Sequence, residues 1–319
     1  HWHWHDHLRF CVAPPRTSAV ETWPSMAEAL NPASGVDAKL WASVVALRAK
    51  SPLVQCLTNY PSMDIMANGL LAIGASPAMV HATEELPDAV AVAGAIGAAV
   101  CVNIGTLDER WVESFKVAVG LCKEHSVPWV LDPVAAGFTK LRTRTAVELM
   151  ELHPPAVVRG NASEIMSISP TPAATEAASG GKGVDTMQSS EAALDAAKRL
   201  AKKYGLVVVV SGEVDYIVSV RGDGFLVSSN PHGHELMTKV TAVGCLVNAV
   251  IAAFVASKPA VLSVHEAAAM AFAYFTRCGE LAAPSSKGPA TFRVTFIDTL
   301  YSVSEADLAG SKLVIDTGL

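Results

Sequence analysis

From Val36 onward, short apolar runs closed by polar or Gly/Pro residues alternate with stretches whose apolar residues recur at helical spacing. That alternation predicts repeated βα units around a central, mostly parallel sheet, the α/β class. The strand-like runs are Leu53–Leu57, Ala78–Val80, Ala99–Ile104, Pro128–Leu131, Ala156–Val158 and Leu206–Val210. Helical spacing covers Ala38–Ala49, Ser62–Ile73, Leu86–Gly97, Glu109–His125, Ala162–Ile168, Ser190–Tyr204, Cys245–Ala256, Val264–Leu281 and Thr291–Val303. Residues 215–229, DYIVSVRGDGFLVSS, read as a hairpin, because Arg221-Gly222-Asp223-Gly224 separates two strand-like runs. No internal repeat is visible. Residues 171–185, TPAATEAASGGKGVD, are the one low-complexity stretch within the pattern and are expected to form a surface loop.

The ends fall outside this pattern. Residues 1–36 are rich in Pro and Ser and open on HWHWHDHLRF, so they are expected to be an extension outside a single domain of residues 37–310, with 311–319 as a tail. A chain of 319 residues can bury a substantial core. Hydrophobic residues make up 51% and charged ones only 17%, which argues against a disordered or nucleic-acid-coating protein and leaves apolar surface to be hidden between subunits. A net charge of -6, with no Lys/Arg cluster interleaved with aromatics, gives no footprint for nucleic acid. The apolar run 245–257 is too short to cross a bilayer, and glycines interrupt 89–107, so no membrane span and a soluble, cytoplasmic protein are expected, a plastid being compatible. The six cysteines form no C-x-x-C pair and no close Cys/His ligand set, which suits a reducing compartment.

In parallel α/β sheets ligands gather beyond the carboxyl ends of the strands, so a polar residue just after an apolar run carries extra weight. Thr58-Asn59, Asp132-Pro133, Arg159-Gly160-Asn161 and Ser211-Gly212-Glu213 all meet that test. There is no P-loop motif and no G-x-G-x-x-G, so a phosphate site must use a helix N-terminus. Ala242-Val243-Gly244-Cys245, at the head of the most apolar helix, is the best candidate. Cys245 is either a small buried hydrophobe or a thiol whose pKa the helix N-terminus draws toward the thiolate. Asp132 either starts a turn before Pro133 or holds Mg2+. Glu164, three residues after Asn161, either closes a helix capping box or does the same. Arg159 beside both carboxylates favours polyphosphate.

The stretches SPLVQCLTNYPSMDIMANGLLAIGASPAMVHATEE, VNIGTL, PWVLDPVAAG, AVVRGNASEIM, GGKGVDT, VVVVSGEVDYI, MTKVTAVGCLVNAV and KGPATFRVTFIDTLY follow one another over roughly residues 40–305. In sequence and order they resemble the hydroxyethylthiazole kinase family, of ribokinase-like three-layer α/β/α fold. The resemblance implies ATP- and Mg2+-dependent phosphorylation of the alcohol of 4-methyl-5-(2-hydroxyethyl)thiazole, and a homotrimer with active sites between subunits. Carried over by position, Asn59, Met79 and Ala242 would contact the thiazole, Met79 reaching it from a neighbouring subunit. Arg159, Asn161, Ser211 and Lys182 would serve ATP, and Asp132 and Glu164 would support Mg2+. Ala242, Gly244 and Cys245 would form the catalytic mouth, with Cys245 where many ribokinase-like enzymes keep an aspartate base. Family members commonly read Gly-Thr-Gly-Cys where this chain has Ala242-Val243-Gly244-Cys245, which adds a Cβ and removes a hydroxyl. That departure leaves open a thiazole binder impaired in catalysis, and a related vitamin kinase acting on a pyrimidine or pyridine alcohol is the other alternative. A nicotinamide oxidoreductase of similar architecture lacks its glycine fingerprint here.

Overall fold

The computed structural model describes residues 35–170 and 186–316. Its eight strands are β1 Leu53–Leu57, β2 Ser76–Ala78, β3 Ala99–Asn103, β4 Trp129–Asp132, β5 Val157–Asn161, β6 Val207–Ser211, β7 Asp215–Arg221 and β8 Gly224–Asn230. They form one sheet in the order β2-β1-β3-β4-β5-β6-β7-β8. All pairings from β2 through β6 are parallel, and β7 and β8 close the edge as an antiparallel hairpin. The helices are α1 Val36–Lys50, α2 Met63–Ile73, α3 Leu86–Ile96, α4 Glu109–Glu124, α5 Lys140–Leu152, α6 Ala162–Ile168, α7 Thr186–Tyr204, α8 Val243–Ser257, α9 Val264–Ala282, α10 Pro289–Ser302 and α11 Glu305–Leu308.

The parallel strands are covered on both faces, which explains their nearly unbroken apolar runs. Alternate residues divide into two cores. Val54, Cys56, Ala99, Cys101, Val130, Val157, Val207 and Val209 pack with α1, α2, α8, α9 and α10, while Leu57, Val100, Val102, Leu131, Val158 and Val208 pack with α3 to α7. This is a three-layer α/β/α arrangement. Helix α8 is apolar all round and sits inside the first layer, with Val243 and nearly every residue from Leu246 to Ser257 buried. Gly69 permits α2 to lie against it, since a Cβ there would fall 2.5 Å from Leu246 Cδ1.

Apart from shifts at element ends and the short helix α11, which lies beyond the last expected helix, two elements differ from the sequence expectation. The edge strand β2 is Ser76–Ala78 rather than Ala78–Val80, because its register against β1 starts at Leu53↔Ser76. An edge position tolerates Pro77. Beyond Ala78 the Gln55 side chain replaces the ladder, donating to the Val80 carbonyl at 2.6 Å and accepting from the Val80 amide at 3.3 Å. Helix α5 has no counterpart in the expectation. Its KLRTRTAVELMEL sequence buries only Thr145, Ala146, Leu149 and Met150, and the Thr139 cap with two turns of apolar contact suffices to form it. Among the described residues no helix is long and apolar enough to cross a membrane. The expected N-terminal extension up to residue 34, and the low-complexity stretch with Lys182, lie outside the described residues.

Candidate active site

The strand period of two decides which polar residues meet. In β3, β4, β5 and β6 the face toward α8 carries Cys101, Val130, Val157 and Val209, and two positions further on it carries Asn103, Asp132, Arg159 and Ser211. Residues at the carboxyl ends of four neighbouring strands therefore point under the N-terminus of α8. Asn103 and Asp132 are direct register partners across β3 and β4.

These residues form two hydrogen-bonded groups. In the first, Asn59 Nδ2 donates to Asn103 Oδ1 at 2.7 Å and to Cys245 Sγ at 3.5 Å. Asn103 Nδ2 donates in turn to Asp132 Oδ2, and its Oδ1 also accepts from the Gly105 amide at 2.9 Å. Gly105 must be glycine for this cluster to close, because a Cβ would fall 2.6 Å from Asn59 Nδ2. In the second group, Arg159 Nη2 donates to Ser211 Oγ at 2.8 Å and Nη1 to the Gly244 carbonyl at 3.0 Å. Arg159 Nε is buried without a hydrogen-bond partner, a donor that an anion would satisfy.

Asn161 and Glu164 do what the capping-box reading foresaw. Asn161 Oδ1 accepts from the Glu164 amide at 2.9 Å, and Glu164 Oε2 accepts from the Asn161 amide at 2.8 Å. Glu164 Oε1 also accepts from the Ala135 amide at 2.8 Å, which ties the loop after β4 to α6.

Burial raises the Asp132 carboxyl to about 7. Arg159 opposes that shift, Glu164 adds to it, and the bond from Asn103 opposes it again. Cys245 corrects the expectation of a helix-terminal thiolate. Burial, reinforced by the charge of Asp132, pushes its thiol up to about 12, against the smaller effects of Asn59, Asn103 and Arg159. At this half-buried third residue of α8, desolvation outweighs the groups that would favour the thiolate.

The mouth itself departs from a relaxed helix start. Ala242 is the N-cap and has φ 65° and ψ 9°, left-handed geometry that a side chain disfavours. Its carbonyl accepts the first intrahelical bond, from Leu246 N–H at 2.9 Å. The amides of Val243, Gly244 and Cys245 precede that bond and have no intrahelical acceptor. Gly244 also lets Arg159 approach, since a Cβ there would stand 3.3 Å from Nη1.

Beside this mouth lies a cavity of about 620 Å³, lined by Arg159, Ser211, Gly212, Gly244 and Phe272 among others. Asp215 stands in its wall, fixing the turn after β6 by accepting from the Gly212 amide at 3.1 Å. Met79 does not join either group. It is half-buried just past β2, packed against the core on the α8 side.

Sequence reasoning missed Asn103, which it absorbed into a longer strand although a polar residue ending AVCV passes the strand-end test. It also missed Arg142 on α5, whose guanidinium donates to the carbonyls of Ile104, Gly105 and Val134 at 2.8, 2.9 and 2.9 Å and so holds the loops after β3 and β4. Its signal lay in a helix that the apolar pattern did not reveal.

Comparison with known proteins adds an independent line. A profile of the hydroxyethylthiazole kinase family matches residues 44–306. The hydroxyethylthiazole kinase of Zea mays is 48% identical over 267 residues, covering 84% of this chain and 89% of its own. That of Arabidopsis thaliana is 42% identical over 268 residues, covering 83% and 91%. The solved structure of a hydroxyethylthiazole kinase protein from Pyrococcus horikoshii OT3 aligns with a TM-score of 0.73 at 34% identity, covering 86% of this chain and 98% of that one.

Proposed function

Since this chain belongs to the hydroxyethylthiazole kinase family, we propose that it transfers the γ-phosphoryl group of ATP to the alcohol of 4-methyl-5-(2-hydroxyethyl)thiazole, a step of thiamine biosynthesis or salvage. The observation that carries the reading is the meeting of two polar groups at one helix mouth: Asn59-Asn103-Asp132 on one side and Arg159-Ser211 on the other. The first suits a small polar substrate and the second a polyphosphate.

ATP fits the cavity that Arg159, Ser211 and Gly212 line, with the partnerless Arg159 Nε aimed at a phosphate oxygen. The amides of Val243, Gly244 and Cys245 are placed to receive the transferring oxygens, the role of a helix N-terminus toward an anion. Positioning and charge stabilisation supply most of the acceleration, because the transition state of phosphoryl transfer is loose and asks little of a base. Cys245, a neutral thiol beside Asn59, then borders the substrate alcohol rather than deprotonating it.

Mg2+ suits the donors present. It binds through one or two carboxylates, substrate phosphates and water, and no cluster of three or more His, Cys, Asp or Glu suited to a metal occurs among the described residues. Asp132 and Glu164 would hold it, directly or through water, and when bound it neutralises charge on the β and γ phosphates. Lys182 is assigned to the phosphates by its place in GGKGVDT alone. The family pattern further supports a homotrimer in which Met79 of one subunit completes the thiazole site of the next, and a cytoplasmic or plastid location.

A substrate panel tests the assignment. With ATP and Mg2+, mass detection should find phosphate on the hydroxyethylthiazole and little on hydroxymethylpyrimidine or pyridoxal. Preferential phosphorylation of either of the latter would refute the thiazole assignment.

A further inference from the structure

The outer wall of the 620 Å³ cavity is made by residues 231–235, which leave β8 and lead toward the mouth of α8. Pro231, Gly233, His234 and Glu235 are exposed, so this wall has little packing of its own. His232 is the exception, at 5% exposure.

Both of its ring nitrogens are engaged. The Lys312 amide donates to Nε2 at 2.9 Å. In a neutral ring Nδ1 then carries the proton, and it lies 3.1 Å from both carboxylate oxygens of Glu280. Glu280 is itself fixed on α9, accepting from Arg277 Nη1 at 2.8 Å and from the Gly233 amide at 3.2 Å. The segment bearing Lys312 is equally tied. Ser229 and Val314 exchange two backbone bonds of 2.9 Å, and the amides of Gly310 and Ser311 donate to Asp37 of α1 at 2.7 and 3.0 Å.

We infer that His232 is a positioning residue for the nucleotide: held between the Lys312 amide and Glu280, it fixes the wall at 231–235. The C-terminal segment thereby contributes to nucleotide affinity without touching the nucleotide. This rests on the proposal that ATP occupies the cavity. None of the positions assigned by family resemblance includes His232, Glu280 or Lys312.

Three full-length variants test it. His232→Phe keeps a ring and removes both bonds, Lys312→Pro removes the amide donor at a residue outside the cavity while also fixing the local backbone, and His232→Gln keeps one donor and one acceptor. The KM for ATP and the Kd for ADP by calorimetry should rise about threefold to tenfold in His232→Phe and Lys312→Pro, the range one hydrogen bond represents. The KM for hydroxyethylthiazole and kcat at saturating ATP should stay within about twofold, and His232→Gln should recover part of the affinity. Unchanged ATP and ADP affinity overturns the inference, and so does an equal loss for both substrates. If His232→Phe does not fold, Lys312→Pro and His232→Gln decide by the same readouts. Wild-type protein that binds no ADP would refute the placement of ATP itself, whereas wild-type binding with unaffected variants would refute only the role of His232.

Discussion

Ala242 places a side chain at the one mouth position whose backbone is left-handed. At φ 65° it occupies the left-handed region where glycine is at ease, and a Cβ there costs about 1–2 kcal/mol. Ala242→Gly should therefore raise the denaturation midpoint by an amount equivalent to about 1 kcal/mol, net of the entropy glycine returns to the unfolded chain. A lower midpoint would show that the cap is not strained. The two candidate catalytic side chains separate in the same way. A working general base contributes on the order of 10² to 10⁴ in rate, and burial keeps the Cys245 thiol neutral. Cys245→Ser should then lose less than about tenfold in kcat/KM, while Asp132→Ala, which removes the buried carboxyl that accepts from Asn103, should lose about a hundredfold or more. A hundredfold loss in Cys245→Ser would restore it as the base. Residue identities at the strand ends were legible in the sequence, and so was the Asn161/Glu164 box. The pKa of Cys245 was not, because sequence places it at a helix start and says nothing of what covers it.

Elements were legible where one period dominates. The βα alternation gave the parallel sheet, and the glycine-bearing turn gave the β7-β8 hairpin, whose ladder runs from Asp215↔Asn230 to Arg221↔Gly224. Helix α5 escaped because its buried stripe is only four residues. Edge strand β2 shifted because a partner strand, not its own apolar run, sets its register. His265, which reads from sequence as an early helix residue, joins α9 to the hairpin through Ser219 Oγ at 2.9 Å and Ser228 Oγ at 2.8 Å. Burial lowers its pKa to about 4 from 6.5. The unfolded chain thus takes up a proton that the folded one refuses, so stability present above pH 6.5 is lost as pH falls toward 4. Within that window each pH unit should cost about 1.4 kcal/mol from this residue. In urea titrations the stability of His265→Gln relative to wild type should rise as pH falls from 6.5 to 5, and a constant difference would remove His265 as a contributor.

At the scale of the whole molecule, the sheet delivers Asn103, Asp132, Arg159 and Ser211 from four strands to one face, and α8 closes over them. The carboxyl-end rule anticipated that meeting without giving its partners. What sequence distance hid were the long-range ties: Asn59 to Cys245, and Lys312 to His232. On the proposed function, this assembly transfers phosphate although its mouth reads Ala242-Val243. Release of ADP from ATP and Mg2+ by the purified protein, measured with and without hydroxyethylthiazole, tests it most directly. Thiazole-dependent ADP release matched mole for mole by phosphorylated thiazole is the expected result. Thiazole binding with no ADP release above the thiazole-free rate would contradict it and leave a binding protein in place of a kinase.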